Sequence, residues 1–187
     1  MVLTDREIQV AIQHGHIVIE PQPEASAYSS TSLDLKFPKS IRIWRTTPSI
    51  MGVEQNIVSP ATPGYSFKEF VREFSDAREL AIDGYVVEPG GFILGWTEEN
   101  VELPTDSRVA ARVEGKSSLA RLGIGIHITA PTIHAGFSGP IQLEICNHGF
   151  LRVRLIPGMP VCQLIFEQTL GTPEKGYKGQ FLGQTKS

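Results

Sequence analysis

Glu144 stands in the middle of IQLEICN, a stretch in which apolar and polar or small residues alternate. In a strand, the apolar members Ile141, Leu143 and Ile145 share one face, and Gln142 and Glu144 share the other. A carboxylate in a partly dry pocket has a raised pKa, so it can take a proton from water near neutral pH and return it to a leaving group. The alternative is a solvated glutamate on the outer face of a strand.

A second stretch, GKSSLARLG at 115–123, combines groups that bind anions. Lys116 brings an ammonium group, and Ser117 and Ser118 bring hydroxyls. Arg121 adds a planar fork that fits phosphate oxygens. If residues 117–122 form a short helix, its free N-terminal amides point the same way, which favours a polyphosphate ligand. The alternative is an ordinary helix N-terminus with a solvated arginine.

The composition argues against several classes of function. A formal charge of -3 and the absence of a basic stripe give no support for nucleic-acid binding. The first residues are charged too early for a signal peptide, and no apolar run approaches the roughly 20 residues that span a bilayer, so we expect no membrane association. Cys146 and Cys162 lack metal spacing and disulfide density, which favours small core cysteines and a cytoplasmic location.

No familiar metal or cofactor motif accounts for the two stretches. His127 and His134 have no Cys or Glu at ligand spacing, so we interpret them as hydrogen-bonded residues at the edge of the core rather than zinc ligands. The H-x-E with P-C-x-x-C signature of zinc deaminases is absent. So are the G-x-x-x-x-G-K-[ST], G-x-G-x-x-G and G-x-S-x-G motifs. The sequence therefore gives no support for protein-bound zinc.

Helical signals occur at two places in the first half of the chain. The segment TDRE at 4–7 has the form of a capping box and predicts a short helix that stops at Gly15. Alternation over 33–37 and 41–43 predicts two strands, and residues 46–64 read as a surface excursion. The phenylalanines of 67–74 have helical spacing, and we assign their stripe to the core.

From Tyr85 onward the pattern is that of short strands. VVEPGGFILGWT predicts a hairpin around Pro89-Gly90-Gly91. Further strands are predicted at ENVELP, RVAARVEG, GIGIHITA, GPIQLEICN, LRVRLIPG and VCQLIFEQ. Such a series suggests a sandwich, jelly roll or closed barrel. We expect one domain over 1–187, with a mobile tail at 171–187 that closes over the site.

Four segments together resemble the dCTP deaminase family, a branch of the trimeric dUTPase-like fold: EGKSSLARLGIGIHITA, IHAGFSGPIQLEICN, IPGMPVCQLIF and YKGQFLGQ. TDREI, TSLDL and GFILGWTEENVELP follow the family's order at close to its spacing, so the resemblance covers nearly the whole chain. It implies a mainly β fold, a distorted β-barrel or jelly roll of the dUTPase-like type, with a short N-terminal helix and a few small helices. It also implies a homotrimer with sites between subunits.

The resemblance implies hydrolytic deamination of dCTP to dUTP and ammonia, without a protein-bound metal and with Mg²⁺ on the triphosphate. Glu144 falls on the family's catalytic glutamate, which activates water and passes its proton onward. Ser117 and Arg121 match residues that help organise the catalytic centre. The residues that match the family's nucleotide contacts are Lys116, Ser117, Ser118, Arg121, Ala130, His134, Gln142, Glu144, Tyr177, Lys178, Gln180 and Gln184.

Two departures from the family pattern leave alternatives open. His134 stands where the motif I-D-x-G-[FW] has an aspartate, and Gln180 stands where lysine is frequent in the tail. The first weakens a second activity, dUTP diphosphatase, which would make the enzyme bifunctional and give dUMP. A catalytically inactive nucleotide-binding trimer is the third alternative. Whether dTTP inhibits the enzyme stays open.

Overall fold

The computed structural model describes residues 1–45 and 58–175. Its α-helices are α1 (Asp5–Gln13), α2 (Phe67–Phe74) and α3 (Ser117–Ala120). Its strands are β1 (Val18–Glu20), β2 (Tyr28–Ser29), β3 (Ser32–Lys36), β4 (Ser40–Trp44), β5 (Ser75–Glu79), β6 (Tyr85–Val87), β7 (Phe92–Glu102), β8 (Val109–Gly115), β9 (Ile124–Gly125), β10 (Thr132–Ile133), β11 (Ser138–Asn147), β12 (Val153–Leu155) and β13 (Pro160–Gln168).

Two antiparallel sheets make up most of this fold. The larger has the order β5-β4-β7-β11-β9, with β1 also paired to β7, and the smaller has the order β10-β8-β13-β3-β2. Strands β12 and β6 form a separate pair. Within the described residues the sheets stay open at their edges, so the arrangement is a jelly-roll-like sandwich rather than a closed barrel. The predicted mainly β fold class is confirmed.

The core is filled by the inward positions of strands from both sheets, as the alternation predicts. Fully buried side chains include Leu33 and Leu35 of β3, Leu143 and Ile145 of β11, and Leu164 and Phe166 of β13. The apolar face of β11 therefore packs into the core, and its other face points away from the core.

The N-terminal helix forms where the capping box predicts it. The backbone N–H of Thr4 donates to the Glu7 carboxylate at 2.8 Å, and α1 ends at Gln13. Gly15 follows with a φ of +71°, a left-handed conformation that favours glycine. Ile8 and Ala11 are its buried residues and anchor it to the core.

Two strand predictions are wrong, and GFILGWT and ENVELP, predicted as separate strands, belong mostly to one strand, β7. β6 and β7 do not form a hairpin around Pro89-Gly90-Gly91, because β6 pairs with β12 while β7 belongs to the larger sheet. The turn joins two sheets instead, and Gly90 donates its N–H to the carbonyl of Asn147 at 2.8 Å. In GIGIHITA only Ile124–Gly125 pairs as a strand, and the rest is irregular backbone.

The phenylalanine stripe of α2 lies outside the main core. Phe70 packs against Trp44 and Phe74, with ring centroids 5.8 and 4.6 Å away, and Trp44 stacks on Phe92. These rings are half-buried, and Val71 is the buried residue of the helix. A short helix beside the edge strand β5 and its neighbour β4 covers the sheet's end rather than its centre, so the stripe forms a satellite cluster.

The remaining predictions are met in part. Cys146 and Cys162 are both free and buried. Residues 58–64 of the predicted surface excursion are exposed, and residues 46–57 lie outside the described part of the chain. None of the described helices has the length and apolar character needed to cross a membrane.

Candidate active site

Strand β11 carries the site's central carboxylate. Gln142 lies opposite Trp96 of β7 and Glu144 opposite Leu94. Leu143 and Ile145 are fully buried, so the pleat directs Gln142 and Glu144 to the opposite face, where both are half-buried. The alternation in IQLEICN therefore predicted the correct face.

Glu144 lies in the wall of a cavity of about 250 Å³. The cavity is lined by Val113, His127, Ala130, Thr132, Ile133, His134, Phe137, Ile141, Gln142 and Glu144. Four residues predicted as site residues, Ala130, His134, Gln142 and Glu144, thus meet in one place. Glu144 is the single carboxylate among the described residues of this lining.

Burial raises the pKa of the Glu144 carboxyl above its usual range. Hydrogen bonds from the backbone amides of Ile128 and of Glu144 itself, and the charge of His127, oppose this effect without reversing it. A carboxylate in this setting is a better base than a solvated glutamate and remains an effective acid once protonated.

The segment 126–137 closes the cavity as an irregular loop held at several points. The N–H of Val113 donates to the carbonyl of Pro131 at 2.8 Å, and β10 pairs with β8. Farther along, the N–H of Gly136 donates to the carbonyl of Leu103 at 2.6 Å, and that of Phe137 donates to the carbonyl of His134 at 3.1 Å. The loop therefore presents Ala130 and His134 on a fixed backbone.

His127 is a site residue that the sequence analysis missed. It lines the cavity with Glu144, and its Nδ1 atom is buried without a hydrogen-bond partner among the described residues. The interpretation of this histidine as a satisfied core residue is wrong for that atom. Its position three residues before Ala130 was the signal that could have found it. A buried ring nitrogen without a hydrogen-bond partner is uncommon in a folded protein, and this one belongs to a residue of the cavity lining.

The anion-binding stretch lies apart from this cavity within one chain. Ser117, Ser118 and Arg121 are exposed on and just after the single turn of α3, and none of them lines the cavity. Arg121 donates its backbone N–H to the Ser117 carbonyl at 3.1 Å, so the predicted helical turn is present. The structure thus separates the predicted residues into two groups.

Lys116 has a protein partner. Its ammonium group lies 2.5 Å from the carboxylate of Asp34 on β3, and both side chains are largely shielded from solvent. The sequence analysis did not single out Asp34. The pair exists because β13 lies between β3 and β8 in the smaller sheet, which brings the end of β8 close to β3.

A close backbone contact holds the end of α3 against the end of β11. Gly123 has a φ of +90°, and a Cβ atom there would lie 2.3 Å from the backbone nitrogen of Gly149. The N–H of His148 donates to the carbonyl of Gly123 at 2.7 Å. Glycine is therefore required at the close of the GKSSLARLG stretch.

One further part of the predicted site, in the C-terminal tail, lies outside the described residues. Tyr177, Lys178, Gln180 and Gln184 lie outside the described residues, and so does most of the predicted closing tail. Within residues 1–45 and 58–175, no group of three or more His, Cys, Asp or Glu side chains could hold a metal ion.

Comparisons with known proteins agree on the family. The dCTP deaminase-like family matches residues 2–169. A dUMP-forming dCTP deaminase of Methanosphaera stadtmanae is 34% identical over 189 residues, covering 98% of this chain and 90% of that protein. A dCTP deaminase of Marinomonas sp. is 35% identical over 179 residues, covering 95% and 88%.

A solved structure supports the fold. The crystal structure of 2'-deoxycytidine 5'-triphosphate deaminase from Agrobacterium tumefaciens matches with a TM-score of 0.66 at 22% identity. The match covers 89% of this chain and 48% of the other, so this chain spans about half of that protein. The predicted family is confirmed, and the chain belongs to the dCTP deaminase-like family.

Proposed function

We propose that this protein hydrolyses dCTP to dUTP and ammonia, with Glu144 as general base and acid. One observation carries the proposal: a half-buried glutamate with a raised pKa lies in a cavity beside Gln142 and His127. The choice of dCTP as the substrate rests on the relatives named dCTP deaminase, at 34% and 35% identity over nearly the whole chain.

In the proposed reaction, ionised Glu144 takes a proton from water as the oxygen attacks C4 of cytosine. The carboxylic acid then returns this proton to the ring nitrogen. When the bond from C4 to the amino group breaks, the proton of the new hydroxyl passes through Glu144 to the leaving nitrogen. The products are a C4 carbonyl and ammonia. Positioned acid/base help of this kind contributes about two to four orders of magnitude in rate.

Substrate contacts follow from the cavity lining. Gln142 shares the strand face of Glu144, and the fixed loop around Ala130 offers backbone groups to the base. His134, which is exposed at the cavity, is assigned to the sugar. As an imidazole it can donate or accept one hydrogen bond at each nitrogen, according to its tautomer.

The triphosphate is assigned to Lys116, Ser117, Ser118 and Arg121 of a second copy of the chain. The support is that three of these side chains are exposed and lie apart from the cavity within one copy. Sites between subunits of a homotrimer would unite the two groups. Mg²⁺ would accompany the triphosphate and neutralise part of its charge. Two free, buried cysteines favour the reducing cytoplasm as its location.

A second candidate, conversion of dCTP to dUMP, is favoured by one observation. The relatives from Methanosphaera stadtmanae and Methanobrevibacter smithii are named dUMP-forming dCTP deaminases. Against it, Glu144 is the single carboxylate in the described cavity lining, and His134 stands where the family motif I-D-x-G-[FW] has an aspartate.

Product analysis separates the two candidates. The purified protein is incubated with dCTP and Mg²⁺, nucleotides are separated by anion exchange, and ammonia and pyrophosphate are assayed in the same sample. We expect dUTP and ammonia in equal amounts without pyrophosphate. Recovery of dUMP with pyrophosphate would establish the second candidate, and unchanged dCTP would contradict both.

A further inference from the structure

We propose that Thr97 is a positioning residue for Glu144. Its hydroxyl completes the hydrogen-bond ladder of β11 at Ile141, the residue directly before Gln142 and Glu144. This inference rests on the proposed function and deepens it. It concerns the strand pairing behind the cavity, and Thr97 itself is not among the cavity's lining residues.

The pairing of β11 with β7 is irregular beside the site. Pro140 lies opposite Asn100, but Gln142 lies opposite Trp96. Ile141 alone therefore faces three residues of β7, at positions 97–99. In a regular antiparallel ladder each residue faces one partner, so β7 carries two extra residues here. Such a bulge leaves ladder groups of the partner strand without their usual backbone bonds.

The side chain of Thr97 supplies what the bulge removes. Its Oγ1 accepts the backbone N–H of Ile141 at 2.9 Å and donates to the carbonyl of Glu99 at 2.7 Å. Thr97 is fully buried, so water cannot easily replace the hydroxyl. A hydroxyl is suited to this role because it accepts and donates at once, whereas a backbone carbonyl only accepts.

The bulge also forms a hydrogen bond to β3 of the smaller sheet. Glu99 is 5% exposed as a residue, and its carboxylate accepts the backbone N–H of Lys36 at 3.0 Å. Burial raises the pKa of this carboxyl. β7 is thus tied to β3 of the smaller sheet through Glu99 and to β11 through Thr97. The bulge is therefore hydrogen-bonded to the strands on both of its sides.

This support bears directly on the site. Ile141 lines the cavity, Gln142 follows it, and Glu144 is three residues further along. A slip of one residue would exchange the two faces of β11. Even a shift of a fraction of an ångström at Ile141 would pass along the strand to the carboxylate, and acid/base catalysis is sensitive to such displacement.

The test compares Thr97→Val, which keeps the shape but removes the hydroxyl, with Thr97→Ser, which keeps the hydroxyl. We expect the valine variant to lose about 10-fold to 100-fold in kcat for dCTP while KM stays within about twofold, because geometry rather than substrate contact is changed. The serine variant should retain kcat within about threefold. Backbone amide exchange at Ile141 should accelerate in the valine variant alone.

The control for a merely structural role is Ile8→Val, a buried substitution in α1, outside β7 and β11, that lowers stability and should leave kcat unchanged. If the valine variant does not fold, Thr97→Cys takes its place. Its thiol is a weak acceptor, so its loss of kcat should be smaller than the loss expected for the valine variant. Wild-type kcat in the valine or cysteine variant, or equal losses in the serine and valine variants, would overturn the proposal. If the wild-type protein releases no ammonia from dCTP, the proposed function fails instead, and amide exchange at Ile141 still tests the hydrogen bond.

Discussion

The ammonium group of Lys116 lies 2.5 Å from the carboxylate of Asp34, and this pair joins the end of β8 to the middle of β3. The side chains are 24% and 14% exposed. Removing one partner would leave the other charge half-buried and unpaired, which destabilises a protein more than removing both.

We therefore predict non-additive losses for Asp34→Asn and Lys116→Met. The coupling energy should be about 1 to 2 kcal/mol, between the values typical of exposed and of fully buried pairs. Urea unfolding of the wild type, both single variants and the double variant, at one protein concentration, measures it. Additive losses would show that the two charges are not energetically coupled. If Lys116 also contacts phosphate, Lys116→Met will raise the KM for dCTP more than Asp34→Asn does.

Glu144 should lower the stability of the protein at neutral pH. Burial raises the pKa of its carboxyl, so the folded state holds the proton more tightly than the unfolded state. The stabilising contribution of the protonated Glu144 carboxyl is present below the pKa of the unfolded state. It is lost as the pH rises through the pKa of the folded state.

Glu144→Gln should consequently have a higher Tm than the wild type at pH 8, and the difference should shrink toward pH 4. Thermal unfolding scans across this range measure it. Glu102→Gln, at an exposed position of β7, is the matched control and should leave Tm unchanged at both ends. A constant difference across pH would show that desolvation of Glu144 is not its cause.

His127 should shift the acid limb of the pH profile through its effect on Glu144. Its charge lowers the pKa of Glu144, so neutral replacements should raise that pKa and move the acid limb of kcat/KM to higher pH. His127→Asn places an amide near the buried Nδ1 position and should bind nucleotide better than His127→Gln, whose amide lies near Nε2. If the acid limb stays at the same pH in both variants, His127 does not affect the pKa of Glu144.

If the sites lie between subunits, two inactive variants should complement each other in mixed oligomers. Glu144→Gln and Arg121→Ala homo-oligomers should both be inactive, but mixed oligomers formed by co-expression should regain activity. Each site then draws Glu144 from one chain and Arg121 from another, so about a third of the sites in a mixed trimer should be intact, which is about a quarter of all sites before the mixed species are isolated. Purification through two different tags isolates the mixed species for the ammonia assay. Mixed oligomers as inactive as their parents would place both residues in one chain's site.

Local pattern predicted those parts of the fold that depend on neighbouring residues. Period-two alternation correctly predicted the two faces of β11, because one face must be buried against the core. The capping box likewise predicted the start of α1. The same signals failed at Pro89-Gly90-Gly91, since a turn sequence does not reveal which strands pair, and β6 finds its partner in β12 much later in the chain.

The parts of the site that depend on tertiary neighbours could not be read from the pattern. Asp34 looks like any outward strand residue until the β3-β13-β8 order brings it to Lys116. Thr97 becomes informative only through the bulge opposite Ile141. The two groups of predicted site residues also lie apart in one chain, because the order of motifs along a sequence does not give their distance in the fold.

The most direct test of the central claim is ammonia release from dCTP by Glu144→Gln and wild-type protein, with dCTP binding measured by calorimetry on the same samples. The account predicts that the variant loses about 100-fold to 10,000-fold in turnover while it still binds dCTP, because the amide keeps the shape but cannot carry the proton. Glu102→Gln should match the wild type in both measurements. Ammonia release by Glu144→Gln at close to the wild-type rate would contradict the account.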